Sequence, residues 1–243
     1  MTFDTPAHRL ADLLDRGHRF SSQKPCREAW AELLGTDDAA ELMARLGQVM
    51  ALPHQALEEI ERAHPGSSKH HMSWVTQLAS AFGNQSLDGA WGVFKKQVPP
   101  PTISAVHVAA TTLAGIHAPR ALTAETIADL RGKVDALGDL LREADLPEPL
   151  RRYLLEQIGK LARAIDEYWL TGGTRIVEIV EETFGHVGAN AQSRAALASE
   201  DGLGIVSALA VIADCVTIAT GLPPLIAAGG VATLEWAKKL LPG

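Results

Sequence analysis

The chain has 243 residues, 47% hydrophobic and 21% charged, a composition that excludes general disorder. That length buries a real core and suits one large domain or two small ones. Its net charge of −7 argues against a broad nucleic-acid surface.

Two cysteines, Cys26 and Cys215, stand far apart in unlike settings, so both read as reduced thiols of a cytosolic protein. The opening MTFDTPAHRLADLLDRG has early acidic residues and no apolar core, so no signal peptide is expected.

Helical punctuation begins at once. Thr5 and Pro6 read as N-cap and first helical position, with Leu10, Leu13 and Leu14 as the stripe and Gly17 as the stop. Pro25 opens a second helix facing inward through Ala29, Trp30, Leu33 and Leu34, ended by Gly35. Thr36 caps a third through Leu42, Leu46, Val49 and Met50, and Pro53 starts a fourth through Leu57 and Ile60, closed by His64-Pro65-Gly66. Further helices are expected around Trp74, Leu78 and Phe82, and around Trp91 and Phe94. Val98-Pro99-Pro100-Pro101 reads as an extended linker.

Beyond it, residues 102–115 read as a short apolar helix containing His107. Thr123 caps a long amphipathic helix through Ile127, Leu130, Val134, Leu137 and Leu141. After Pro147 and Pro149, the stripe Leu150, Leu154, Ile158, Leu161 and Ile165 faces Arg151, Arg152, Glu156, Lys160 and Arg163 across one helix. Gly172-Gly173 interrupt, and Ile176, Val177, Ile179, Val180 and Phe184 resume. Residues 185–202 read as a flexible connection rich in small residues. The expected fold is all-α, a bundle of about nine to eleven helices with a C-terminal apolar helical hairpin. Three regions are expected: 1–98, 99–190 and 191–243.

The hairpin is the loudest signal. Residues 201–243 carry only Asp201, Asp214, Glu235, Lys238 and Lys239 as charged side chains. The first limb, Leu203 to Thr220, has Asp214 as its lone carboxylate. Gly221-Leu222-Pro223-Pro224 break it, and a second run, LIAAGGVATL, ends at Glu235 and Trp236. A spanning helix needs roughly 20 apolar residues, so each limb is marginal alone and better paired. Ser207, Ala210, Asp214, Thr217 and Gly221 recur at steps of three and four, forming a small or polar seam. Ala228 and Ala232 make a small-xxx-small pair on the second limb, as do Gly229 and Thr233, a pattern that allows close helix approach in lipid. A central helix of a soluble bundle is also apolar all round.

In outline this arrangement resembles the colicin-type pore-forming domain, in which a soluble helical bundle hides an Ala/Gly-rich apolar hairpin near its C-terminus. The resemblance covers roughly the last 40 residues and rests on pattern. It departs from that family in its shorter second limb and in Asp214, and it transfers no functional residue.

A search for chemistry yields little. Glu61-Arg62-Ala63-His64 has the Glu-x-x-His step of di-iron bundles, near Glu58, His70 and His71, but no second such step occurs. There is no CxxC or HExxH for zinc. Cys26, in Lys24-Pro25-Cys26-Arg27, sits where a helix N-terminus and cations would favour a thiolate, but it reads first as a half-buried small residue on the Trp30 helix. Tyr153, Tyr168 and Trp169 read as core aromatics, and His107 as a satisfied core histidine. Asp166, Glu167, Glu178, Glu181 and Glu182 read as an exposed acidic face. No catalytic, cofactor-binding or metal residue is assigned, and no cofactor is expected.

The leading expectation is therefore a non-enzymatic cytoplasmic effector. Its charged helical body would bury the hairpin until a trigger or self-assembly releases it into a membrane, in bacterial defence or toxin-like killing. Its partners would be membrane lipid or a partner protein, and copies of itself in a homo-oligomer, without nucleic acid. The alternative is a soluble interaction or regulatory protein, homodimeric in one form, with the hairpin as core or subunit interface. An enzyme with an unrecognised helical site is a third class.

Overall fold

A computed structural model describes residues 3–115 and 119–221. Among the described residues the fold is all-α: twelve α-helices, with Pro25 and Ala90 forming an isolated antiparallel bridge and no strand. The chain divides into two compact units, residues 3–118 and Pro119 onward.

The first unit holds α1 (Pro6–His18), α2 (Cys26–Leu34), α3 (Ala39–Ala63), α4 (Met72–Asn84), α5 (Trp91–Gln97) and α6 (Pro100–Ala114). Thr5 caps α1 by accepting from the His8 N–H, and Gly35, at φ 64°, closes α2 in the left-handed conformation that glycine adopts without strain. The long α1 packs on α6 and α3, and an aromatic cluster of Trp30, Phe82, Trp91 and Phe94 fills the space between α2, α4 and α5. The Trp91 indole N–H donates to the Gly17 carbonyl at 2.8 Å, and that of Trp30 to Gln85 Oε1 at 2.7 Å.

Two proline readings change here. Pro53 does not start a helix; it lies buried inside the 25-residue α3. An interior proline costs about 3 kcal/mol locally, so burial of Leu46, Val49, Leu52, Ala56 and Ile60 on one continuous face outweighs the break. The start of α3 moves as well: Asp38 is the N-cap, accepting from Glu41 N–H at 2.8 Å, while the Thr36 hydroxyl binds the Glu41 carboxylate. Pro99-Pro100-Pro101 is no interdomain linker, because Pro99 is the N-cap of α6 and the next two prolines occupy its first turn. The sequence regions 1–98, 99–190 and 191–243 do not coincide with the two units, since α6 shares the first unit's core through its packing on α1 and α3.

The second unit holds α7 (Ala124–Glu143), α8 (Glu148–Asp166), the one-turn α9 (Tyr168–Thr171), α10 (Gly173–Ala189), α11 (Ala191–Leu197) and α12 (Glu200–Thr220). Its four long helices close a ring: α7 on α8, α8 on α10, α10 on α12 and α12 on α7. The core between them contains Leu130, Val134, Leu154, Leu161, Ile176, Val180, Ile205 and Leu209. The segment expected to be flexible, 185–202, is helical but for two short joints. Asn190 Oδ1 accepts from the N–H groups of Gln192 and Ser193 and caps α11; the Ser199 hydroxyl accepts from Gly202 N–H and caps α12. The first limb of the expected hairpin is α12; the second falls in 222–243, outside the described residues.

Candidate functional site

Helix α12 is one stave of the ring. Gly202, Ile205, Leu209, Ile212, Val216 and Thr220 repeat at steps of three and four and are buried. That is the inner stripe of an antiparallel bundle, and each large aliphatic side chain in it contributes roughly 1.5–3 kcal/mol. Both ends are tied down. The Asp201 carboxylate accepts from the backbone N–H of Asp145, in the α7–α8 turn, at 3.0 Å, and the Thr220 carbonyl accepts from Arg120 N–H at 2.6 Å.

The outer face is the unusual one. Gly204, Val211, Asp214, Ile218 and Gly221 are exposed, Ile218 to 82% and Val211 to 44%. Only three of the 21 residues of α12 are charged, against eight of 20 in α7 and seven of 19 in α8. The helix is long and apolar enough to cross a membrane, and a third of its most apolar window is buried.

The expected seam lies on this side. Asp214 and Gly221 are exposed, while Ser207, Ala210 and Thr217 are half-buried at its edges. The Thr217 hydroxyl donates to the Asp214 carbonyl at 3.1 Å, so its polarity is spent within its own helix. Asp214 makes no ion pair among the described residues. Ala228 and Ala232 lie outside the described residues.

No family model, no curated protein and no solved structure matches this chain.

The remaining sequence candidates find ordinary structural places. Cys26 is buried to 1% exposure, with its Sγ 3.9 Å from Gln85 Oε1. Burial pushes its thiol up, against the smaller opposing effects of Trp30 and Arg27, which is the reverse of nucleophile activation. Cys215 is half-buried on α12.

The Glu61 carboxylate is occupied: it accepts from the N–H groups of Gly66 and Ser68, at 2.7 and 3.2 Å, and staples the turn after α3. A hydrogen bond with the Ser68 side chain, and after it those two backbone bonds, hold its carboxyl below the usual range. No group of three or more metal-ligating side chains forms among the described residues. His107 is not a core histidine; it is exposed and its Nε2 lies 3.0 Å from Asp15 Oδ2. Glu167 departs from the exposed acidic face and is buried. Tyr153 stacks on His186 at 4.1 Å between ring centres.

Two features escaped sequence reasoning. A cavity of about 10 Å³, room for one water, lies among Leu13, Gly17, Trp30, Trp91, Phe94 and Ile103, far too small for a substrate. Near the start of α1, Arg9 pairs with Asp4, both nearly covered, beside Glu59 of α3. Burial pushes the Glu59 carboxyl up to about 7, helped by Asp4, while Arg9 and Arg62 pull the other way. Glu59 follows no motif: its register on α3 reads as a flank of the apolar stripe.

Proposed function

We propose that this chain is a non-enzymatic helical effector that perturbs a membrane through α12 and the apolar run that follows it. The observation that carries this reading is the outer face of α12, nearly free of charge and open at Val211 and Ile218. At helical rise its 21 residues extend about 31 Å, close to the thickness of a bilayer's hydrocarbon core. A central carboxylate such as Asp214 opposes insertion by roughly 2.5–3.5 kcal/mol, so the helix is suited to conditional entry. Leaving the ring would uncover the inner faces of α7 and α10. That cost favours the resting, water-soluble form until lipid or other copies cover the exposed staves. A cytoplasmic resting state and a role in bacterial defence or toxin-like killing belong to the same proposal.

The test is dye release from vesicles of neutral and of anionic lipid. The full chain should release dye, and the Val211→Asp/Ile218→Asp double variant should not. Both substituted side chains are exposed, so the variant keeps its fold. Absence of release by the full chain at every lipid composition defeats the reading.

The ties of Asp201 to the α7–α8 turn and of Thr220 to Arg120 favour a second reading. In it α12 never leaves the ring, and its outer face is the interface of a soluble interaction protein or homodimer. Sedimentation would then show a dimer that Ile218→Asp dissociates, with no vesicle leakage from either form.

A further inference from the structure

We propose that the turn between α3 and α4, residues 64–71, is an acid-switched docking site for an anionic lipid surface. The first observation is where the histidines lie. Eight of the nine precede Pro119, in a stretch with ten Lys or Arg against twelve Asp or Glu, so protons on a few of them reverse its charge. From Pro119 onward there are twelve Lys or Arg, seventeen Asp or Glu and one histidine, so the second unit stays negative.

The second observation is which histidines keep the charge they gain. Among the described residues before Pro119, His54, His64, His70 and His107 are exposed. His54 Nε2 lies 3.2 Å from Glu58 Oε1, and His107 Nε2 lies 3.0 Å from Asp15 Oδ2, so a proton on either is offset locally. His64 and His70 make no ion pair among the described residues. His71, next to His70, serves the fold instead. Its Nδ1 accepts from the Trp74 indole N–H at 3.3 Å, and burial and, after it, His70 hold its imidazole below the usual value.

The third is the setting. The turn is closed by its own bonds: the His64 carbonyl accepts from Ser67 N–H and the Ser67 carbonyl from His70 N–H, each at 3.0 Å, while Glu61 holds Gly66 and Ser68. It packs on α3 and α4, and α4 carries no charged residue. On α3, Glu58 is engaged by His54, and Glu61 is offset by Lys69. Glu59, near Arg9 and Arg62, is neutral in acid because burial pushes its carboxyl up to about 7. Arg62, His64, Lys69 and His70 are therefore a group of cations in acid, and Met72, 46% exposed at the end of the turn, offers lipid an apolar side chain. Each cation near an anionic membrane strengthens binding about fivefold.

The inference takes its partner from the membrane reading, but docking needs no entry of α12, so binding and dye release are measured separately. The probes are vesicles of phosphatidylcholine alone and of phosphatidylcholine mixed with phosphatidylglycerol, co-sedimented with the full chain. Binding to the anionic vesicles should be at least tenfold tighter at about pH 5 than at about pH 7.5, and high salt should abolish it. His64→Gln/His70→Gln should weaken the acid binding at least tenfold. His54→Gln/His107→Gln removes as many exposed imidazoles from the same unit and should weaken it far less. Equal losses in the two double variants overturn the turn as the site, and so does binding indifferent to pH or to lipid charge. Equal acid-dependent capture of a DNA duplex overturns lipid as the partner. Acid-dependent binding without dye release keeps the docking site and loses only insertion; dye release that ignores pH and lipid charge does the reverse.

Discussion

The α-carbon of Gly202 lies against the backbone of Leu197, so closely that a Cβ there would stand 2.4 Å from the Leu197 Cα and 2.6 Å from its carbonyl carbon. This contact sets how α12 leaves the end of α11 and enters the ring. Backbone cannot move aside as a side-chain tip can, so Gly202→Ala should destabilise the protein by about 2 kcal/mol or more, although alanine is the better helix former by about 1 kcal/mol. Gly204, two residues on, is the control. A Cβ there meets only Leu140 Cδ2, at an ordinary 3.7 Å. Gly204→Ala should therefore be neutral or stabilising in chemical denaturation, and equal losses at both sites would refute the account.

A second prediction concerns Trp91. Its indole N–H is buried against the Gly17 carbonyl. Trp91→Phe keeps an aromatic ring in the cluster but removes this donor and leaves the Gly17 carbonyl with the Phe20 N–H at 3.2 Å, so the loss of one net hydrogen bond should cost about 1 kcal/mol. A shift in the denaturation midpoint with unchanged helical circular dichroism would bear this out; no shift would mean that water replaces the indole.

The Glu59 carboxyl gives a pH signature. Its ordinary value is 4.5, and in the folded chain it is about 7. Between those values the unfolded chain has released the proton and the folded chain has kept it. Stability therefore falls as pH rises from about 4.5 to about 7, by on the order of 3 kcal/mol, and the contribution is flat above that. Glu59→Gln carries no titratable proton. The stability of the natural chain relative to this variant should decline across that window, and parallel pH profiles would count against it.

Asp214 separates its two readings cleanly. As an exposed side chain without an ion pair among the described residues, it contributes little to the fold, so Asp214→Leu should change stability by no more than about 0.5 kcal/mol. The same change removes the carboxylate from the apolar face and should raise vesicle partitioning, measured by co-sedimentation with lipid. Lost stability with unaltered partitioning would instead mark Asp214 as a structural residue.

Much of this architecture was legible because local rules govern it. The caps Thr5 and Thr123, the stop at Gly35 and the stripe Leu150, Leu154, Ile158, Leu161 and Ile165 all stand where periodicity and capping chemistry put them. The failures share one cause. Pro53, the Pro99–Pro101 run and the small-residue stretch 185–202 were each read by intrinsic propensity, which packing against α1, α3 and α12 overrode.

By itself the sequence determined that this is a helical protein with an apolar, charge-poor limb near its C-terminus, because helix period and composition are properties of neighbouring residues. Only the tertiary structure decided which side of α12 faces inward. A helix apolar nearly all round has no charged face to orient it, so its rotation is set by partners distant in sequence: α7 and α10, the Asp145 amide and the Arg120 amide. That rotation turned Asp214 outward, put Ser207, Ala210 and Thr217 at the edges of the exposed face, and left Ile205, Leu209, Ile212 and Val216 to close the core.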